Sequence, residues 1–402
     1  MKSTAIIGAG ASGCFTSILL HRRHPDWKIT VFEAAKRPMA KLAVTGGGRC
    51  NITNSFEHVR SLKDVYPRGT NLMKRLLKSF SANDLLAWFE NEGIRFTTQE
   101  DGCVFPCSQD AMQIVRCLER LMSESGVQLL CGTRVLKITD LGDHRHRLTF
   151  ADGREEDFDN VILSSGGTSA DFLRSMLPHD IGITPTVPSL FTFRTGDDPL
   201  KSLMGTVVEH TRLSIPGSGI SSEGILLVTD WGLSGPAALK LSSYAARFLN
   251  EKQYRAPLCI NWAGCTENEV HEEIALLAEE NSKKLVVNAG LSRLSTRLWK
   301  HLCQKSGISG EARWADLGKK ATNKLCSTLC ADNEEIIGRV NFKDEFVTCG
   351  GVALSEINSA DMECKKHNGL YFTGEVLDID AVTGGFNLQA AWSTAFAVAA
   401  GL

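Results

Sequence analysis

The chain has 402 residues, more than one hydrophobic core sustains, so two or three domains are expected. Hydrophobic residues make up 43% and charged residues 22%, which excludes a disordered or collagen-like chain. A net charge of -2 gives no global pull toward nucleic acid or anionic membrane, so any such partner needs a local surface.

Residues 5–7 predict a strand, 12–21 a helix and 28–32 a second strand ending on Glu33. Between the first strand and the helix stands Gly8-Ala9-Gly10-Ala11-Ser12-Gly13, a G-x-G-x-x-G sequence. Its first glycine permits a tight turn, its second lets backbone approach a pyrophosphate, and its third lets helix and strand pack closely. The positive end of the helix, with the open N–H groups of Ala11 and Ser12, favours phosphate. Glu33, twenty residues beyond Gly13, is placed to accept hydrogen bonds from ribose hydroxyls.

Next comes Thr45-Gly46-Gly47-Gly48-Arg49-Cys50-Asn51, continuing through Asn54. Three glycines let backbone lie against a flat ring or a phosphate, and Arg49 and Asn51 add polar groups. Cys50, beside an arginine and a glycine turn, reads either as a thiol of depressed pKa that moves a proton or as a small packing residue. Amphipathic helix is expected over 70–92 with a break near Ser81, and helix again over 112–123. Short strands follow at 128–130, 135–139 and 147–150, then a buried strand at 161–163 running into Gly166-Gly167.

From about residue 188 the texture changes to short β segments, then helix over 267–304 and a strand over 340–347. The tail regains glycine-rich turns. A strand enters Gly374-Glu375-Val376-Leu377-Asp378, whose carboxylates suit ribityl hydroxyls or turn caps. Then Gly384-Gly385-Phe386-Asn387-Leu388 opens the last helix, with N–H groups suited to negative charge on a reduced flavin. The thirteen cysteines, odd in number and preceded by no export signal, predict free thiols in the cytoplasm. No cysteine or histidine spacing predicts a metal site; Cys326 and Cys330 stand one helical turn apart. No apolar run approaches the ~20 residues that span a bilayer, so no membrane partner is expected.

Between residues 281 and 324 ten basic residues face only Glu311 and Asp316, a local charge of +8. Arg293, Arg297 and Lys300 recur there at helical spacing beside Trp299, which suits either a solvated helix face or a phosphate-contact surface.

The strings Lys41 to Asn54, Gly102 to Pro106, Gly232 to Pro236 and Thr348 to Gln389 together resemble the BaiN/RdsA flavoprotein family, also called aminoacetone oxidase-like. The resemblance implies an α/β fold: a discontinuous Rossmann-like FAD-binding domain with an inserted β-barrel and a small helical subdomain. In these terms 1–188 and 345–402 form the FAD domain and 189–344 the insert, helical at about 266–325. It also implies reduction of a carbon–carbon double bond, with uracil in ribosomal RNA or a small-molecule enone or amino-ketone as substrate. A non-catalytic FAD-binding protein is the third reading. No second G-x-G-x-x-G follows a later strand, so NAD(P)H is expected only as a transient reductant. Two departures from the family pattern stand near the site: Met39-Ala40 replaces a glycine–basic pair, and Ala170 to Arg174 replaces a glycine-rich run.

Overall fold

The computed structural model describes residues 1–196, 199–340 and 347–402. The chain forms two compact units, Met1–Pro188 with Lys343–Leu402, and Ser189–Phe342.

The first unit is built on a five-stranded parallel sheet. Its order is Leu370–Phe372, Asn160–Leu163, Ser3–Ile7, Lys28–Glu33 and Gln128–Cys131. These strands read as near-continuous apolar runs because helices cover both faces of a parallel sheet. Ser3–Ile7 lies at the centre, with the chain leaving toward Lys28–Glu33 on one side and Asn160–Leu163 on the other. The carboxyl ends of the two central strands therefore diverge into a crevice, where ligands bind in open α/β sheets. The first helix, Ala11–Arg23, packs against the last, Phe386–Gly401. Phe15 and Trp392 meet edge to face at 5.4 Å, and Phe89 closes against both. The expected break near Ser81 is present. Helices Thr70–Ser79 and Ala82–Asn91 meet at a capping box formed by Ser81 and Asp84.

A three-stranded antiparallel sheet, Val135–Gly142, Arg145–Phe150 and Glu155–Phe158, flanks this core. One histidine ties it to the segments on either side. His367 places Nδ1 2.7 Å from Asp140 Oδ2 and Nε2 2.8 Å from Asp180 Oδ1. Both contacts are donations only when both ring nitrogens carry protons, so the geometry is that of imidazolium. Burial lowers the pKa of His367, but the two carboxylates more than offset it and the net shift is upward. A raised folded-state pKa stabilises fully below the ordinary histidine value and loses that contribution as pH rises through the raised value. We expect urea stability of the parent to fall relative to His367→Gln as pH climbs from 6 toward 9. Parallel pH profiles for the two proteins would remove the clamp.

The second unit contains a closed six-stranded barrel, in order Phe193–Thr195, Gly232–Ser234, Ile220–Val228, Val207–Ile215, Ala256–Asn261 and Asp332–Arg339. Helices Glu267–Glu280, Thr296–Lys305 and Lys319–Cys330 accompany it. The helical stretch expected over 267–304 holds two helices: the first stops at Glu280 and the second starts at Thr296, capped by Ser295. Most of the strand expected over 340–347 lies outside the described residues. All thirteen cysteines, Cys326 and Cys330 included, are free thiols. Among the described residues no helix is long and apolar enough to cross a membrane, and no cluster of three or more His, Cys, Asp or Glu side chains offers a metal site.

Candidate functional site

At the carboxyl end of the central strand, Gly8 holds φ +105°, and a Cβ there would meet Ser164 O at 2.5 Å. A Cβ on Gly13 would stand 2.0 Å from Gly8 O. First and third glycines are thus fixed by contacts within the protein. The second differs. Gly10 caps the first helix at φ -82°, an ordinary conformation, without any side-chain cap, and beyond its chain neighbours no atom lies within 4 Å of an added Cβ. The first helix therefore starts with open N–H groups at Ala11 and Ser12 facing uncrowded space, the arrangement that suits a phosphate. Glu33 accepts from Ala9 N at 2.8 Å and from Ala35 N at 2.7 Å, which fixes its carboxylate beside the same turn with lone pairs to spare.

Met39 stands at φ +53°, the left-handed conformation that glycine favours. Its N–H bonds Ala9 O at 2.7 Å, holding the segment against the first turn. Lys41 pairs with Glu375 at 2.9 Å, and Glu375 also accepts from Thr348 N at 2.9 Å. Added Cβ atoms at Gly167 and Gly374 would strike Thr348 Oγ1 and Ser12 Oγ. Gly166, with φ +71°, adjoins Glu375, so the first helix, the Gly166 turn and the Gly374 turn converge. Asp378 is tied into the fold by its own N–H, 2.9 Å from Val352 O.

Thr45 is not helical, and its hydroxyl donates to Leu42 O. Gly47 and Gly48 have positive φ and nothing near an added Cβ, whereas Gly46 is pressed against Asn51 N. Arg49 lies over the Phe105 ring at 4.3 Å and donates to Gly46 O at 3.2 Å. The last helix begins beside this loop. Gly385 caps it at φ +88°, where a Cβ would strike Thr53 O at 2.3 Å, and no side chain caps the helix. The N–H groups of Phe386, Asn387 and Leu388 are thus the first of the helix. The Asn387 side chain is spoken for: it donates to Ala381 O and accepts from Ala381 N, both at 2.9 Å. The Phe386 ring is buried against Phe56 and Tyr66. Only the backbone of these two residues is offered to a ligand.

Two buried oxygens at these turns, Asn51 Oδ1 and Ser165 Oγ, have no hydrogen-bond partner among the described residues. Asn51 Oδ1 lies 2.8 Å from the Cβ position of Gly385. Unsatisfied buried polar atoms are costly, so they mark a place for a polar ligand. Open helix starts, a glycine-lined surface and orphaned oxygens fit a dinucleotide carrying a flat polar ring. Ser164, Ser165 and Thr348 escaped the sequence reading. The available signal was position alone, since Ser164-Ser165 directly follow a buried parallel strand.

Two expectations are corrected. Cys50 is fully buried, and burial pushes its thiol up to about 12, with a Thr45 hydrogen bond pulling the other way. Burial thus works against a depressed thiol, and the Arg49 guanidinium lies over the Phe105 ring. Arg293 precedes the helix instead of lying on it. It is salt-bridged to Glu273 at 2.5 Å, so its charge is already answered. Lys305 likewise pairs with Asp332 and Glu334. Trp299 is buried and donates to Val286 O. The acidic counterweight is the helix Glu267–Glu280. Its six glutamates, set against the +8 that follows, leave residues 267–324 at +2. Arg297 and Lys300 remain exposed.

The family model described as HI0933-like protein Rossmann domain matches residues 2–401. A ribosomal RNA dihydrouridine synthase of Haemophilus influenzae is 30% identical, with 98% of this chain and 96% of that protein covered. A 3-dehydro-bile acid delta(4,6)-reductase of Clostridium scindens is 27% identical, with 98% of each covered. In fold, the chain is similar to 3-ketosteroid-delta4-(5alpha)-dehydrogenase from Rhodococcus jostii, at 12% identity and a TM-score of 0.51, covering 100% of this chain and 97% of that one. A family match over nearly every residue, on a fold whose crevice suits a dinucleotide, leads to one assignment: the chain belongs to the HI0933-like family of BaiN/RdsA-type flavoproteins and is an FAD-dependent oxidoreductase.

Proposed function

We propose that this oxidoreductase reduces an electron-poor carbon–carbon double bond, and that its substrate is a uracil of ribosomal RNA, converted to dihydrouridine. FAD, once bound and reduced by NAD(P)H, would supply the hydride, and a protein acid or water the proton. The chain's residues hold and tune it. N–H groups at the start of the first helix take the pyrophosphate, and Glu33 takes the adenosine ribose. Lys41 and Glu375, with Gly166, Gly374 and Asp378, line the path between. Gly46 to Gly48, Arg49 and Asn51 meet the ring, and the N–H groups of Phe386 to Leu388 stabilise negative charge on it. NAD(P)H acts as a transient reductant, and the protein works in the cytoplasm.

The observation that carries the RNA assignment is that Arg297, Lys300, Lys319 and Lys320, on two helices of the second unit, are exposed to solvent. The dihydrouridine synthase relative supports it, while the bile-acid reductase relative supports a small-molecule enone as the second reading. Gripping phosphates releases counterions, so affinity for a ribosomal RNA fragment should fall steeply with salt. We expect Arg297→Gln with Lys300→Gln to weaken binding and flatten the salt slope by about one to one and a half units, without changing the flavin spectrum. Absence of RNA affinity in the parent at low salt would promote the enone.

Cys50 is assigned to packing. Cys50→Ser should bind FAD and turn over at a rate within about three-fold of the parent. A loss of ~100-fold, the scale of a missing general acid, would restore its catalytic role.

A further inference from the structure

Nine large apolar side chains are exposed among the described residues, and four of them, Met204, Val207, Ile225 and Trp231, fall on one stretch of the barrel. Hydrogen bonds and strand register bring them together. Val207 pairs with Leu227, Gly205 N donates to Val228 O at 2.9 Å, and the turn bearing Trp231 follows directly. Contiguous apolar surface of this kind marks an interaction site, whereas scattered single residues do not.

Trp231 is 47% exposed on a rigid support. Thr229 N donates to Gly232 O at 2.8 Å, and Thr229 Oγ1 accepts from both Trp231 N and Gly232 N. The Trp231 carbonyl accepts from Thr195 N at 3.3 Å, which fixes the turn to the neighbouring strand. A Cβ on Gly232 would strike Phe193 O at 2.4 Å, so the two backbones touch. Arg194, on that strand, is exposed and has glycine as its cross-strand partner on both sides, Gly232 and Gly338. No side chain covers it from either neighbour, and no described acid pairs with it. On the other flank, Arg297 donates to Ser202 O at 2.5 Å, two residues before Met204. The one exposed acid on the turn is Asp230.

An exposed indole on a backbone-bonded turn, joined through Thr195 N to the strand that carries the exposed Arg194, offers what single-stranded nucleic acid needs: a ring for a base to stack on and cations for its phosphates. We propose that Trp231 is a stacking platform for a nucleobase of single-stranded RNA, with Arg194 and Arg297 contacting the flanking phosphates. The proposal rests on the RNA reading above and names the surface that grips the RNA.

The test is fluorescence anisotropy of a short labelled single-stranded RNA with the FAD-loaded protein. Trp231→Ala should raise Kd by about 5- to 100-fold, the worth of one stacked base, while Trp231→Phe retains most of the affinity. Arg194→Ala should weaken binding and reduce the salt slope by about 0.7. Melting temperature and flavin spectrum should match the parent in all three, since each side chain is exposed. Unchanged affinity of Trp231→Ala, with a parent that binds, overturns the platform and leaves the RNA reading standing. A parent that binds no RNA at low salt defeats that reading, and the platform with it. Concentration-dependent association of the parent that Trp231→Ala abolishes, without an effect on RNA, identifies a protein contact and also overturns the platform.

Discussion

Gly10→Val protein should purify folded and colourless, with less than about one-tenth of the parental flavin. A Cβ added at this position meets no atom within 4 Å beyond its chain neighbours, and the backbone at φ -82° suits a residue with a side chain. Stability should therefore stay near that of the parent, within the ±0.5 kcal/mol usual for such sites. What the valine fills is the space above the open N–H groups of the first helix, where the pyrophosphate must approach closely. Neighbouring glycines cannot give this separation. A Cβ at Gly8 or Gly13 collides with backbone, so those variants confound lost binding with lost folding. Flavin content by absorbance, alongside a thermal melt, checks the prediction. A yellow Gly10→Val protein would move the pyrophosphate away from this turn.

Arg68→Ala should lower stability by about 3–5 kcal/mol, the cost of leaving a buried charge without its partner. Asp380 is fully buried, and the Arg68 guanidinium meets it through two hydrogen bonds, Nε to Oδ1 at 2.6 Å and Nη2 to Oδ2. The pair anchors the segment that runs from Asp378 into the start of the last helix. Flavin affinity should fall along with stability. Breaking a buried pair costs more than deleting it, so Arg68→Met with Asp380→Leu should recover much of the loss. Urea denaturation of the three proteins decides the matter, and an Arg68→Ala protein as stable as the parent would show that the pair contributes nothing.

The parts of this molecule that were legible in the sequence are those written locally. Gly8 to Gly13 between a strand and a helix, with Glu33 at the next strand's end, specifies a parallel frame because each residue serves a neighbour. The Ser81 break was legible for the same reason, since its capping box closes within three residues. What sequence could not show are partnerships between distant positions. Arg68 meets Asp380 312 residues later, and His367 joins Asp140 to Asp180. Charge counting also failed where pairing decided the outcome. Arg293 belongs to the same basic run as Arg297, but only contact with Glu273 shows that its charge is spent. Trp299 looked like an aromatic among cations, yet it is core, and the exposed tryptophan is Trp231 on the barrel. For Cys50 the sequence left a depressed thiol and a packing residue both open, because burial, which pushes the thiol up, is invisible locally.

The most direct test of the central claim is mass spectrometry of ribosomal RNA from cells lacking this protein. Dihydrouridine should be lost at one position, restored by the parental gene and not by Gly10→Val. Dihydrouridine unchanged at every position in the deleted strain would contradict it.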